Sequence, residues 1–248
     1  MLQVCLNGPR TAADSQAVPM SPAALAEAAR QAVAAGAEEV HVHPKTPCGR
    51  DSLSPRVVGP ALEAVRAAVD VPVGVTTGAW AEPGPPDPSD GPGRSPDRRV
   101  ERIRSWTVLP DHASVNWHEE GAEAVAAALL ERGIGVEAGL WSGTPGPGRF
   151  LRSSLRSRVL RVLAEVTDTD AESAPATARA LLAEVTGTAH GRPVLLHGWD
   201  GGAWPVLRLA VALGLDTRTG IEDTLLLPNG RPAADNAQLI AAALAPES

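Results

Sequence analysis

Apolar and polar positions along the chain fall into two alternating registers. Short runs rich in Val, Leu and Ile recur at Leu2–Leu6, Glu39–His43, Pro72–Thr76, Ala113–Trp117, Gly135–Leu140, Leu160–Val166, Val194–His197 and Thr217–Ile221, and predict strands. Between and after them lie longer alanine- and arginine-rich stretches with helical spacing. These are Pro22–Ala35, Pro55–Val69, Asp97–Trp106, Ala122–Arg132, Phe150–Arg156, Ala174–Thr186, Ala203–Leu213 and Ala233–Leu244. Ser21-Pro22, Ser54-Pro55 and Ser95-Pro96 each set a hydroxyl before a proline, the expected start of a helix. Gly36, Gly133, Gly187 and Gly214 stand where helices should stop. Eight strands alternating with eight helices predict an α/β fold, a (β/α)8 TIM barrel in which residues 1–248 form a single catalytic domain. The rival, an open doubly wound sheet, lacks a G-x-G-x-x-G after its first strand. Glu82–Ser95, with five prolines and three glycines, reads as a surface loop after the third strand.

Composition narrows the chemistry. With 44% hydrophobic residues, 21% charged residues and a net charge of −7, the chain is expected to be a soluble globular protein without nucleic-acid partners. The longest apolar runs are far short of the ~20 residues of a membrane span, and the N-terminus has no signal-peptide pattern. A cytoplasmic location is therefore expected. Cys5 and Cys48 cannot form a disulfide framework. There is no tyrosine, and Lys45 is the only lysine among 22 basic residues, so it is the one candidate for Schiff-base chemistry.

The sharpest local pattern is His41-Val42-His43 at the end of the second predicted strand. Residues i and i+2 share a face, so both imidazoles should project into one mouth of the barrel. Barrel closure brings the eighth strand to within two positions of the second, with the first between them. Glu222, in Arg218-Thr-Gly-Ile-Glu-Asp223, can then supply a carboxylate. Two histidines and a carboxylate with open positions describe a catalytic site for zinc or a related divalent ion. Asp223 has the opposite strand parity to Glu222, so both reach the mouth only if the backbone turns between them.

These residues resemble the β-keto acid cleavage enzymes, the group around 3-keto-5-aminohexanoate cleavage enzyme. The matching pieces are Asn7-Gly8, Pro19-Met-Ser-Pro22, Ala35-Gly-Ala37, His41-Val-His43, Thr76-Thr-Gly78, Ser114-Val-Asn116, Val136-Glu137, Arg218-Thr-Gly-Ile-Glu-Asp223 and Asn236-Ala-Gln-Leu239. Between about Thr144 and Arg192 almost no resemblance is visible.

The resemblance implies a Zn2+-dependent barrel that condenses a β-keto acid with acetyl-CoA and cleaves the adduct to acetoacetate and a new acyl-CoA. The metal would polarise the ketone. Asp223 would be the base that makes the acetyl-CoA enolate. Arg218 would hold the substrate carboxylate or orient Asp223. Glu137 is expected either to assist proton transfer or to be a buried partner for an arginine. Thr76, Thr77, Gly78, Ser114 and Asn116 are substrate-side donors, or else strand-end caps. His118 and His197 should face the active side, where the amides after His197 could meet CoA, and His112 and His190 should be structural. The arginine-rich stretches Arg94–Arg104 and Arg149–Arg161 read as solvated or subunit-facing surfaces in a homo-oligomer.

Two positions depart from the family. Arg10 stands where an amino-bearing substrate would want a carboxylate, and Lys45 where an arginine is usual. Both are expected to bind substrate, and the keto acid is then neutral or doubly acidic rather than amino-bearing. Two other readings remain: an aldolase using Lys45, and a metal-binding barrel without catalysis.

Overall fold

A computed structural model describes residues 1–82, 98–186 and 190–245. The chain runs β1 (Leu2–Cys5), α1 (Pro22–Ala34), β2 (Glu39–Val42), α2 (Pro55–Ala68), β3 (Val73–Thr76) and α3 (Arg98–Ser105). It continues through β4 (His112–Asn116), α4 (Ala122–Glu131), β5 (Gly135–Trp141), α5 (Gly146–Arg152) and β6 (Arg161–Val166). Last come α6 (Ala174–Thr186), β7 (Val194–Gly198), α7 (Ala203–Ala212), β8 (Asp216–Thr219) and α8 (Asn236–Leu244). All neighbouring strands pair in parallel, and β8 closes onto β1, so the sheet is a closed barrel. This is the (β/α)8 barrel expected. Among the described residues, no helix is long and apolar enough to cross a membrane.

The cap chemistry works in part. Ser21 Oγ accepts from Ala24 N at 3.2 Å, and Gly36 follows α1 with φ of 116°. Ser54 makes no side-chain cap, although Pro55 still opens α2. The Ser95-Pro96 cap, the Gly187 stop and nearly all of the Glu82–Ser95 loop lie outside the described residues. Helix α5 begins four residues before the expected Phe150. Thr144 Oγ1 accepts from Gly146 N, and Pro147 needs no N–H donor at so early a position, so the Gly-Pro-Gly tract starts the helix rather than preventing it. Helix α8 starts at Asn236 instead of Ala233, because Asp235 caps it by accepting from Gln238 N at 2.8 Å.

Period-two alternation divides the strands cleanly. Outward residues such as Val4, Val40, Val42, Val75, Val115, Ala138 and Val162 are fully buried in the main hydrophobic cluster shared with the helices. The interior of the barrel, where branched aliphatics usually dominate, is instead largely polar. Toward its N-terminal end, Glu137 accepts from Gln3 Nε2 at 3.0 Å and Arg161 Nε at 2.9 Å, His112 lies 3.7 Å from Glu137, and Arg161 also pairs with Glu39. Burial alone would raise the Glu137 carboxyl, but His112 and Arg161 outweigh it and hold the group at about 2.

A carboxylate depressed on folding contributes stability that is fully present above its unfolded value near 4.5 and lost as pH falls toward 2. Glu137 is therefore expected to contribute about 3 kcal/mol that disappears across that window. Denaturant unfolding between pH 2 and 7 should show a shallower acid slope for Glu137→Gln than for the parent. Equal slopes would contradict this role.

Candidate metal centre and acidic pocket

At the C-terminal mouth the barrel gathers His41, His43 and Glu222 with their ligand atoms close together. His41 lies on β2, and His43 follows immediately after it. Asn7 clamps the His43 backbone: its Oδ1 accepts from His43 N and its Nδ2 donates to His43 O, both at 2.9 Å. Glu222 arrives by a turn. Gly220 passes so near β1 that a Cβ there would lie 2.0 Å from the Cys5 carbonyl oxygen, and both Asp223 N and Thr224 N donate to Gly220 O. The turn brings Glu222 and Asp223 to the same mouth despite their opposite strand parity. Asn236 secures it, accepting from Ile221 N at 2.9 Å and donating to Leu6 O at 3.0 Å.

Glu222 Oε2 is 3.6 Å from His43 Nε2 and 4.0 Å from His41 Nε2, and it is buried without a hydrogen-bond partner. Tetrahedral ligands at ~2.0–2.1 Å from zinc stand roughly 3.3 Å apart, so a small inward adjustment would close the three atoms around an ion. His43 Nδ1 lies 2.9 Å from Asp51 Oδ2, which leaves Nε2 for a metal. The orphaned oxygen, the two imidazoles and this carboxylate-held tautomer fit a divalent cation. Burial drives the His41 imidazole down to about 3. Burial also opposes charge on His43, but Glu222 and Asp51 outweigh it and raise that group to about 9. The Glu222 carboxyl, resisted by burial, is pulled well below its usual range by Arg218 and His43.

Asp223 stands beside this trio and is almost completely buried. Its Oδ1 accepts from Arg218 at 3.3 Å and lies 3.1 Å from His197 Nδ1, while Oδ2 has no partner. The same Arg218 nitrogen donates to Glu222 Oε1 at 2.9 Å. Arg218 therefore fixes both carboxylates. His197 continues toward Glu165, with Nε2 3.6 Å from Glu165 Oε2.

Other expected site residues fare unevenly. Thr76, Ser114 and Asn116 line the cavity at the metal trio, whose volume is about 30 Å³. Thr77 donates to Ser114 O, and Gly78 N donates to Thr76 Oγ1, so these groups serve as strand-end caps. Lys45 is not left for substrate: it is buried, pairs with Asp51 and donates to Gly8 O at 2.8 Å. This commits its ammonium to the loop that holds His43, against both a substrate-side charge and a Schiff base. Arg10 donates to Asp200 at 2.6 Å and to Glu222 O at 3.1 Å, so it too is committed within the protein. Glu137 is held at the other end of the barrel as the buried partner of Arg161, away from the mouth. His118 packs against Trp141, with ring centroids 4.5 Å apart and the planes tilted by 48°.

Sequence reasoning missed Asp51 and Glu165, and missed His197 as a neighbour of Asp223. Inward parity near the ends of β6 and β7 is a signal for the last two; Asp51 depends on loop closure, which carries no periodic signal.

A closed parallel barrel with a two-histidine, one-carboxylate centre and a buried acid beside it defines a metal-binding catalytic barrel. The chain matches the beta-keto acid cleavage enzyme family over residues 1–141 and 155–246, and it belongs to that family. The match resumes at residue 155, so the unmatched region is far shorter than the 144–192 span anticipated. No curated protein matches the chain by sequence.

Solved structures of similar fold include apo ObcA, with 16% identity and a TM-score of 0.66, covering 92% of this chain and 61% of that one. The ternary complex of ObcA with C4-CoA adduct and oxalate has 16% identity and a TM-score of 0.68, covering 92% and 63%. A type I 3-dehydroquinate dehydratase from Clostridium difficile has 12% identity and a TM-score of 0.60, covering 98% and 90%. The chain thus spans less than two thirds of the ObcA length, and at these identities the likeness is one of fold.

Proposed function

We propose that this protein uses a zinc or similar divalent ion to cleave a β-keto acid with acetyl-CoA, yielding acetoacetate and a new acyl-CoA. The observation that carries the reading is Asp223. It is a buried carboxylate with one oxygen fixed by Arg218 and the other unpartnered, set beside three convergent ligand side chains. A protein that merely stored metal would have no need of this arrangement. Solved complexes of ObcA hold oxaloacetate, or a C4-CoA adduct with oxalate, which pairs a keto acid with CoA chemistry on a related barrel.

When bound, the ion supplies Lewis-acid polarisation of the substrate carbonyl. The products decide which carbon loses a proton, and it is not the acetyl-CoA methyl that the resemblance implied. Acetoacetate joins the acetyl carbonyl to the α-carbon of the β-keto acid. Asp223 Oδ2 must therefore take a proton from that α-carbon, not from acetyl-CoA. The carbanion attacks the thioester carbonyl and expels CoA thiolate. The thiolate attacks the original ketone, the bond to the α-carbon breaks, and Asp223 returns the proton. Arg218 keeps Asp223 oriented throughout, while Ser114 and Asn116 line the cavity together with His41, His43, Arg218 and Glu222.

The test is a panel of β-keto acids with acetyl-CoA, followed by formation of acetoacetate. Turnover that requires both acetyl-CoA and metal is expected; cleavage that proceeds equally well without acetyl-CoA would sink the assignment.

A further inference from the structure

We propose that Arg10 and Asp200 form a clasp of positioning residues that sets the candidate metal ligand Glu222 against the base Asp223; this rests on the function proposed above. Arg10, in the loop after β1, donates through Nη2 to Asp200 Oδ1 at 2.6 Å and through Nε to Glu222 O at 3.1 Å. Asp200, in the turn after β7, donates through its backbone N to Asp223 O at 2.7 Å. Two consecutive peptide carbonyls, those of the ligand and the base, are thus held from two different loops. One ion pair ties the loops together. A planar guanidinium reaches both of its acceptors at once, which a single ammonium does not.

Each half of the clasp is anchored from behind. A Cβ on Gly8 would lie 2.4 Å from Glu222 Cγ, so the loop carrying Arg10 lies directly against the ligand side chain. A Cβ on Gly201 would lie 2.3 Å from Thr169 O, so the Asp200 turn is seated on the loop after β6. The chain neighbours Pro9 and Trp199 both line the cavity at the metal trio. Asp200 has a φ of 44°, and no other non-glycine among the described residues has a positive φ. Aspartate adopts this region at a cost, and such a conformation persists where the surrounding structure fixes it. Folding stability does not account for the pair. The Arg10 and Asp200 side chains are 20% and 55% exposed, and an ion pair so open to water contributes little. What the pair does fix is the direction in which the Glu222 and Asp223 side chains leave the backbone.

The test uses Arg10→Gln, Asp200→Gly and the double variant. Glycine removes the carboxylate and adopts the same φ without strain, so the melting temperature should stay close to that of the parent. Zinc affinity, measured by chelator competition without substrates, should weaken by about 10-fold in each single variant. The double variant should lose no more, because either change opens the same clasp. With zinc saturating, kcat for β-keto acid cleavage should fall by about 10–100-fold while KM moves less than about threefold. Arg10→Lys, which keeps the charge but not the fork, should recover part of both losses. Parental zinc affinity or parental kcat in the single variants overturns the proposal. So do single effects that multiply in the double variant, or losses that track a lowered melting temperature. If the parent cleaves no β-keto acid, the proposed function fails, and the zinc affinities alone decide the role of the clasp.

Discussion

His43→Ala should purify without stoichiometric divalent metal and lose acetyl-CoA-dependent cleavage by at least about 10³-fold, a loss of roughly 4 kcal/mol of transition-state stabilisation. The variant removes one of the three candidate ligands that the described residues bring together and leaves Glu222 with a single imidazole. Asp51→Asn provides the graded comparison. Asp51 meets His43 Nδ1 and is not one of the three candidate ligands, so its loss should weaken metal binding by about 10–100-fold while leaving a metal-bound form accessible at high metal concentration. Metal content by plasma emission after dialysis, together with rates across a zinc titration, separates the two. Full metal retention by His43→Ala would mean that the ion is held elsewhere.

The second large effect is expected at Asp223. Asp223→Asn keeps the shape and a hydrogen-bonding oxygen toward Arg218 but cannot take up a proton. Its kcat should fall by about 10²–10⁴-fold with bound metal unchanged. Deuterium exchange at the α-carbon of the β-keto acid, measured by NMR, should disappear in the same variant. Exchange at the parental rate would move the base to another group.

Much of this site was legible because barrel geometry converts sequence spacing into direction. His41 and His43 share a face by parity, and closure of β8 onto β1 brings Glu222 within reach of them. Those two rules needed no side-chain detail. Asp223 was legible as a residue but not as a neighbour, since its position depends on the turn that Gly220 permits against Cys5. Asp51, Lys45 and Arg10 show what periodicity leaves out. Each lies in a loop, and which carboxylate meets which cation there depends on how the loop folds back, not on spacing.

Glu137 teaches the same lesson inside the barrel. The sequence offered a proton-transfer group or an arginine partner, and the register of β5 with β6 selects the second by placing Arg161 directly opposite. Helix α5 errs in another way: glycine and proline look like breakers in sequence, yet they are tolerated at a first turn.

The most direct measurement follows carbon through the reaction. Acetyl-CoA labelled at its carbonyl carbon, incubated with zinc-loaded protein and a β-keto acid, should give acetoacetate labelled at its ketone carbon and an unlabelled acyl-CoA. Label that stays in the thioester, or acetoacetate that forms without it, would contradict the account.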